Sequence, residues 1–209
     1  MTTFLLIVIA VISYFLGGFN GAIISSKYIF KKDIRNYGSG NAGLTNFFRT
    51  FGVAGIALVV AVDVIKAVIA VLIGSLLLGI VDQPLLGKIF AGFCLVLGHM
   101  YPAIYSLRGG KGVLCAGVLA LMADWRVGLV CWIVFIVVVF FTRYVSLGSL
   151  ITSAVFPLGI WILRHGWLAG LIALFVSLLI AFAHRENISR LIAGRENKLE
   201  FNLHPKMGR

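Results

Sequence analysis

Hydrophobic residues dominate the chain in long unbroken blocks, interrupted by a few short polar stretches. The apolar blocks run Phe4–Ile24, Val53–Ile80, Leu86–Leu107, Val113–Ala123, Val127–Phe141, Val145–Leu163 and Trp167–Ala183. A helix needs about 20 apolar residues to cross a hydrocarbon layer, so these seven blocks predict membrane helices. The fourth and fifth are short, separated by Asp124-Trp125-Arg126, and read either as two tilted spans or as one hairpin that penetrates partway. The expected fold is therefore all-α: a polytopic membrane helix bundle of seven transmembrane helices, two of them short, in one membrane-embedded domain covering residues 1–209. The first block lacks a basic leader and a small-residue cleavage site, so it reads as a retained span. Gly17-x-x-x-Gly21 within it is a pattern of close helix approach.

Composition agrees with the pattern. Of 209 residues, 61% are hydrophobic and only 12% charged, with a mean hydropathy of +1.06. That excludes a water-soluble body and a disordered chain. The formal net charge of +11 has no soluble basic domain to carry it, which argues against nucleic acid as a partner. It reads instead as topology. Lys27, Lys31, Lys32, Arg35, Arg49, Arg108, Lys111, Arg143, Arg185, Arg190, Arg195, Lys198, Lys206 and Arg209 fall on one side; Lys88, Arg126 and Arg164 fall on the other. By the positive-inside rule the N-terminus is outside and the C-terminus cytoplasmic. Cys94, Cys115 and Cys131 lie in apolar runs without metal-binding spacing and read as small buried hydrophobes.

Neither long polar stretch is large enough to fold alone, so any chemistry must come from loops and helix ends. Three polar clusters fall on the cytoplasmic side. The first is Gly38-Ser39-Gly40-Asn41-Ala42-Gly43-Leu44-Thr45-Asn46 followed by Arg49. Its glycines, amides and hydroxyls can line an anion site that a forked guanidinium completes, although a glycine-rich connector has the same composition. The second is Gly98-His99 with Tyr101-Pro102 and Arg108-Gly109-Gly110-Lys111-Gly112. Gly112 and Val113 after the lysine break the Walker spacing, which disfavours a nucleotide site. A glycine turn presenting Lys111 and Arg108 to an anion stands beside a plain positive-inside turn, and His99 reads as a packing or hydrogen-bonded residue. The third runs from His184 to Lys198, where His184, Asn187 and Leu191 share a helical face; a headgroup-bound tail is its bland counterpart. Asp63 and Lys66, three apart within the second block, read as a structural ion pair.

No metal cluster, paired glycosidase carboxylates, Gly-x-Ser-x-Gly elbow or His-x4-Asp acyltransferase box is present in the sequence. Glycine turns with Arg49, Lys111 and His184 suit a phosphate-bearing substrate, joined at the membrane surface to a hydrophobic partner.

GSGNAGLTNFFRTFG, GHMYPAIYSLRGGKGV and HRENISRLIAGRENK resemble the three signature segments of the integral-membrane glycerol-3-phosphate acyltransferases that use acyl phosphate, the PlsY family. Ala42 and Leu44 depart from the family's usual GSGNPGATN. The resemblance implies a seven-helix enzyme of the bacterial inner membrane with its active site facing the cytoplasm. It would transfer an acyl group from acyl phosphate to the 1-hydroxyl of sn-glycerol 3-phosphate, the first step of phospholipid biosynthesis, giving lysophosphatidic acid and phosphate. Its partners would be those two substrates and membrane lipid, with no cofactor, metal, acyl-CoA or acyl-carrier protein. By residue match, Ser39, Arg49, Lys111, His184 and Asn187 are the expected catalytic set. Gly38, Gly40, Asn41, Gly43, Thr45, Asn46, Arg108, Gly109, Gly110 and Gly112 are expected to bind substrate. The reading requires these distant turns to converge in space.

Overall fold

The structure, a computed structural model, describes residues 1–163 and 165–199. Arg164, Lys206 and Arg209, which entered the topology argument, lie outside the described residues. Within them the secondary structure is helical: α1 (Thr2–Gly18), α2 (Gly21–Phe30), α3 (Leu44–Phe51), α4 (Ile56–Gly79), α5 (Pro84–Met100), α6 (Val113–Ala123), α7 (Trp125–Thr142), α8 (Val145–Ile162), α9 (Trp167–Ala183) and α10 (Arg185–Ile192). Each of the seven apolar blocks contains a helix, but α4 begins only at Ile56 and α5 ends at Met100, so the predicted second block starts late and the third ends seven residues early, apart from a short 3₁₀ turn at Ala103–Tyr105. Five stretches are long and apolar enough to cross a membrane, Thr2–Phe30 counted as one, or six if α9 and α10 are one span bent by 62°. At 11 residues, α6 reaches only about 16 Å, half the hydrocarbon thickness.

Two further blocks differ from what the sequence predicts. The fifth is not short: α7 has 18 residues, because Asp124 caps it, accepting from the Arg126 N–H at 2.9 Å, and thereby draws Trp125 and Arg126 into the helix. This weakens the partway hairpin, since α7 alone is long enough to cross. The first block is not one helix. It breaks at Phe19-Asn20, and the Asn20 side chain caps α2 by accepting from the Ile23 N–H at 3.0 Å.

A break inside an apolar bundle leaves backbone groups that must find partners. Asp63 and Lys66 of α4 supply them. The Lys66 ammonium donates to the carbonyls of Gly17 at 3.1 Å and Phe19 at 2.8 Å, at the negative end of α1. The Asp63 carboxylate accepts from the Gly21 N–H at 3.2 Å, at the positive end of α2. The two side chains are themselves paired at 2.7 Å. The predicted ion pair is present, and it holds a broken helix together.

Glycine permits the close crossings around this break. A Cβ on Gly17 would strike the backbone of α5 at Leu95, and one on Gly21 would strike α4 at Val59, so the two small residues serve two different neighbours. A core containing Ala67, Val71, Leu95, Leu119, Ile160 and Ala173 joins α4, α5, α6, α8 and α9. Outward-facing Leu76, Phe140 and Phe141 are exposed, as lipid-facing side chains should be. At one end of the bundle Lys88 donates to the Met122 carbonyl and His165 meets Asp124. The opposite end gathers the loop before α3, the turn between α5 and α6, and α10.

Candidate active site

The first polar segment is shaped by its own asparagine. Gly38 and Gly40 adopt positive φ, 58° and 71°, a region that glycine enters without strain. Asn46 then closes the loop: its Oδ1 accepts from the Ser39 N–H, and its Nδ2 donates to the carbonyls of Tyr37 and Asn41, each at 3.0 Å. The helix that follows, α3, buries Phe47 and Phe51 against Ala22, Ile34 and Val59. That anchoring leaves Thr45, Asn46 and Arg49 on the wall of a cavity.

The second segment folds back on the end of α5. The N–H groups of Gly109 and Gly110 donate to the carbonyls of Met100 and His99, both at 3.1 Å. A side chain at 109 would strike the His99 carbonyl, and one at 110 would strike the His99 ring and the Ala42 carbonyl. Gly112, at φ 75°, turns the chain into α6. The result aims Lys111 across the cavity, where its ammonium donates to Oδ1 of Asn187.

The third segment begins where α9 ends. His184 is buried in the bend before α10, with its ring Nδ1 2.8 Å from the Ile180 carbonyl. A carbonyl only accepts, so Nδ1 carries the proton and Nε2 is left as an acceptor. Asn187, one turn on, donates from Nδ2 to Glu196 at 2.6 Å. Glu196 also accepts from Ser146 at 2.9 Å and from Arg190 at 2.8 Å.

Each pair of segments is joined directly. The Ala42 N–H donates to the Gly109 carbonyl at 3.4 Å, Lys111 reaches Asn187, and Arg49 donates to the Asn197 carbonyl at 3.0 Å. A proline at position 42 would lack the donor for the first of these, so the departure from the usual family form replaces ring rigidity with a bond between segments. Leu44 lies partly buried against the Phe47 cluster.

All three segments line one cavity of about 810 Å³. Of the residues expected to form the site, Gly38, Ser39, Gly40, Asn41, Gly43, Thr45, Asn46, Arg49, Arg108, Gly109, Lys111, Gly112, His184 and Asn187 are on its wall. Gly110 is not; it is buried beneath the turn against His99. The amide ends of Asn46 are engaged with the loop backbone, so it braces the loop. From this polar mouth the cavity continues as a mainly apolar arm between α6, α7, α8 and α9, past Ala120, Trp132, Phe135, Phe156, Val176 and Ile180, where the hydroxyls of Ser149, Thr152, Ser153 and Ser177 donate to backbone carbonyls.

Burial pushes Lys111 down to about 8 from an ordinary 10.5; Glu196 opposes this, Arg190 and Arg49 reinforce it. Burial likewise holds His184 down at about 4, with the Lys111 charge adding to the effect, so the ring is neutral near pH 7. Glu196 is also buried, but hydrogen bonds from Asn187, Arg190 and Ser146 outweigh that and lower its pKa. Glu196 and Ser146 were absent from the sequence reading. Glu196 lies in the mixed-charge His184–Lys198 segment, whose other reading is a headgroup-bound tail, and Ser146 carries no signal. Asp63, His99 and Cys115 form the one His/Cys/acid group tight enough to suggest a metal among the described residues. Lys66 Nζ, 2.7 Å from Asp63 and 2.8 Å from His99 Nδ1, already places a cation between them.

The family model for glycerol-3-phosphate acyltransferase matches residues 7–194. The chain belongs to the glycerol-3-phosphate acyltransferase family. A glycerol-3-phosphate acyltransferase of Thermoanaerobacter pseudethanolicus is 42% identical over 190 residues, spanning 91% of this chain and 93% of that protein. Two crystal structures of PlsY (YgiH), an integral membrane glycerol 3-phosphate acyltransferase, share the fold. Its glycerol 3-phosphate form superposes with a TM-score of 0.83 at 31% identity, covering 93% of this chain and 96% of that one. Its lysophosphatidic acid form gives 0.81 at 29% identity, covering 94% and 96%. An acyltransferase of this family accounts for a cavity that is cationic at one end and apolar at the other.

Proposed function

We propose that the chain transfers an acyl group from acyl phosphate to the 1-hydroxyl of sn-glycerol 3-phosphate, at the cytoplasmic face of a bacterial inner membrane. The bond from the acyl carbon to the phosphate oxygen breaks and an ester to the glycerol oxygen forms. The hydroxyl proton leaves with the phosphate, and lysophosphatidic acid remains in the membrane. The observation that carries this reading is the pairwise hydrogen bonding of three distant segments around one cavity whose far arm is apolar.

Acyl phosphate is already activated, so the protein's work is orientation and charge stabilisation. In this reading Ser39, Asn41, Thr45 and Arg49 hold a phosphate or the polarised carbonyl. Lys111, presented by Gly109, Gly110 and Gly112, neutralises the departing phosphate, with Arg108 adding positive charge at the mouth. His184 and Asn187 bind glycerol 3-phosphate, the His184 Nε2 acceptor taking the attacking hydroxyl. The apolar arm takes the acyl chain. The donor phosphate suits the role of base, because a ring held near 4 is weakly basic at neutral pH. The topology that accompanies the reading has seven crossings, with the N-terminus outside and the C-terminus cytoplasmic.

The test is reconstitution of purified protein with labelled glycerol 3-phosphate and acyl phosphate. Release of labelled lysophosphatidic acid is the expected result. Passage of label across the bilayer without product would make the chain an anion carrier and overturn the proposal.

A further inference from the structure

We propose that His99 is a substrate-binding residue, donating a hydrogen bond from Nε2 to an oxygen of the phosphate that rests on the Gly109–Lys111 turn. The inference rests on the reading of the cavity as a phosphate site. It assigns a further side chain, from inside α5, to that site.

The ring's protonation follows from its neighbour. Nδ1 lies 2.8 Å from the Lys66 ammonium, which can only donate, so Nδ1 accepts. A neutral imidazole with Nδ1 as acceptor carries its proton on Nε2. The Lys66 ammonium shares three protons among four acceptors, the Asp63 carboxylate, the Gly17 and Phe19 carbonyls and His99 Nδ1, and since it offers Nδ1 no lone pair the tautomer is set by the same pair that closes the helix break.

Nε2–H has no hydrogen-bond partner among the described residues. His99 is 97% buried, at 3% relative exposure, yet Ser13 Oγ is the sole enclosed side-chain polar atom there without a partner. Nε2 must therefore open onto the cavity that His99 lines. A donor that opens onto the cavity with no protein acceptor is available to a ligand oxygen there.

The position is suited to a phosphate. The ring packs against Gly110, where a Cβ would collide with Nε2, so glycine at 110 makes room for that edge. The N–H groups of Gly109 and Gly110 already donate to α5 carbonyls and are not available to an anion. His99 adds a side-chain donor that its bond to Lys66 holds rigidly from below. It acts as a fixed neutral donor beside the flexible Lys111 cation.

The experiment compares His99→Phe with His99→Gln, whose amide nitrogen reaches about as far as Nε2. Binding of orthophosphate is measured by calorimetry and turnover by product release. The Phe variant should bind orthophosphate roughly ten- to a hundred-fold more weakly, with a matching rise in KM for a phosphate substrate, and the Gln variant should stay within about threefold of the parent. Unchanged orthophosphate binding in the Phe variant, or equal loss in both variants, would overturn the proposal. Because either change also removes the acceptor for Lys66, the parent protein with 15N-labelled histidine gives an independent reading: orthophosphate should shift the His99 Nε2–H signal, and no shift overturns the proposal. Phosphate binding needs no turnover, so a parent that binds phosphate through His99 but makes no lysophosphatidic acid would sink the proposed reaction alone.

Discussion

The Lys111 ammonium and the Asn187 side-chain carbonyl, 76 positions apart in the sequence, are hydrogen-bonded across the mouth of the cavity. Asn187 is held from behind by Glu196, which is held by Ser146 and Arg190. Lys111 is thus aimed by a chain of side chains reaching α8 and the tail after α10. Lys111→Ala should lower kcat/KM by about 10²–10³-fold, the usual scale for one preorganised charge-stabilising donor. Lys111→Ala with Asn187→Ala should cost clearly less than the two single losses multiplied, because the residues act as one unit. Strictly multiplicative losses in steady-state kinetics would separate them.

The same lysine sets an alkaline limit. With its folded pKa pushed down to about 8, the cation is lost as pH rises through that value, and with it the attraction for phosphate. The kcat/KM profile should fall above pH 8, where an ordinary lysine would hold until pH 10. Lys111→Arg keeps its charge throughout. It should lose activity near neutrality through altered geometry while no longer falling between pH 7.5 and 9.5, and an unchanged alkaline limb in that variant would assign the titration elsewhere.

His184 separates binding from proton removal. His184→Ala should lower kcat/KM by roughly 10²-fold through loss of hydroxyl orientation. His184→Gln can place an accepting oxygen near the position of Nε2, and should recover activity to within about tenfold if acceptance is what matters. A Gln variant as inactive as Ala would make the imidazole the base.

The buried pair on α4 should matter for stability. Lys66→Met leaves the Asp63 carboxylate unpaired and the Gly17 and Phe19 carbonyls without their donor, at a cost of about 3–5 kcal/mol. Thermal unfolding in detergent should show a large fall in Tm, and adding Asp63→Asn should restore part of it. An unchanged Tm for Lys66→Met would mean the helix break needs no ion pair.

Much of this arrangement was legible in the sequence, and the exceptions have physical causes. Apolar blocks from Phe4 to Ala183 mark the helices, since nothing but lipid explains such runs, and the three glycine-bearing cationic segments are those that line one cavity. The break at Phe19-Asn20 was hidden because Asn20 sits in an otherwise apolar run, and the carbonyls that Lys66 reaches depend on how α1 meets α4. The length of α7 was hidden because Asp124-Trp125-Arg126 looks like a connector until Asp124 is seen to cap a helix. Asn46 lies on the cavity wall, and that its amide also braces the loop is something composition does not carry. Glu196 and the free edge of His99 depend wholly on tertiary neighbours.

The most direct test of the account concerns the acyl donor. Purified protein supplied with glycerol 3-phosphate and acyl phosphate should form lysophosphatidic acid and orthophosphate in equal amounts, with no product when acyl-CoA or acyl-carrier protein replaces the acyl phosphate. Turnover with a thioester donor and none with acyl phosphate would contradict it.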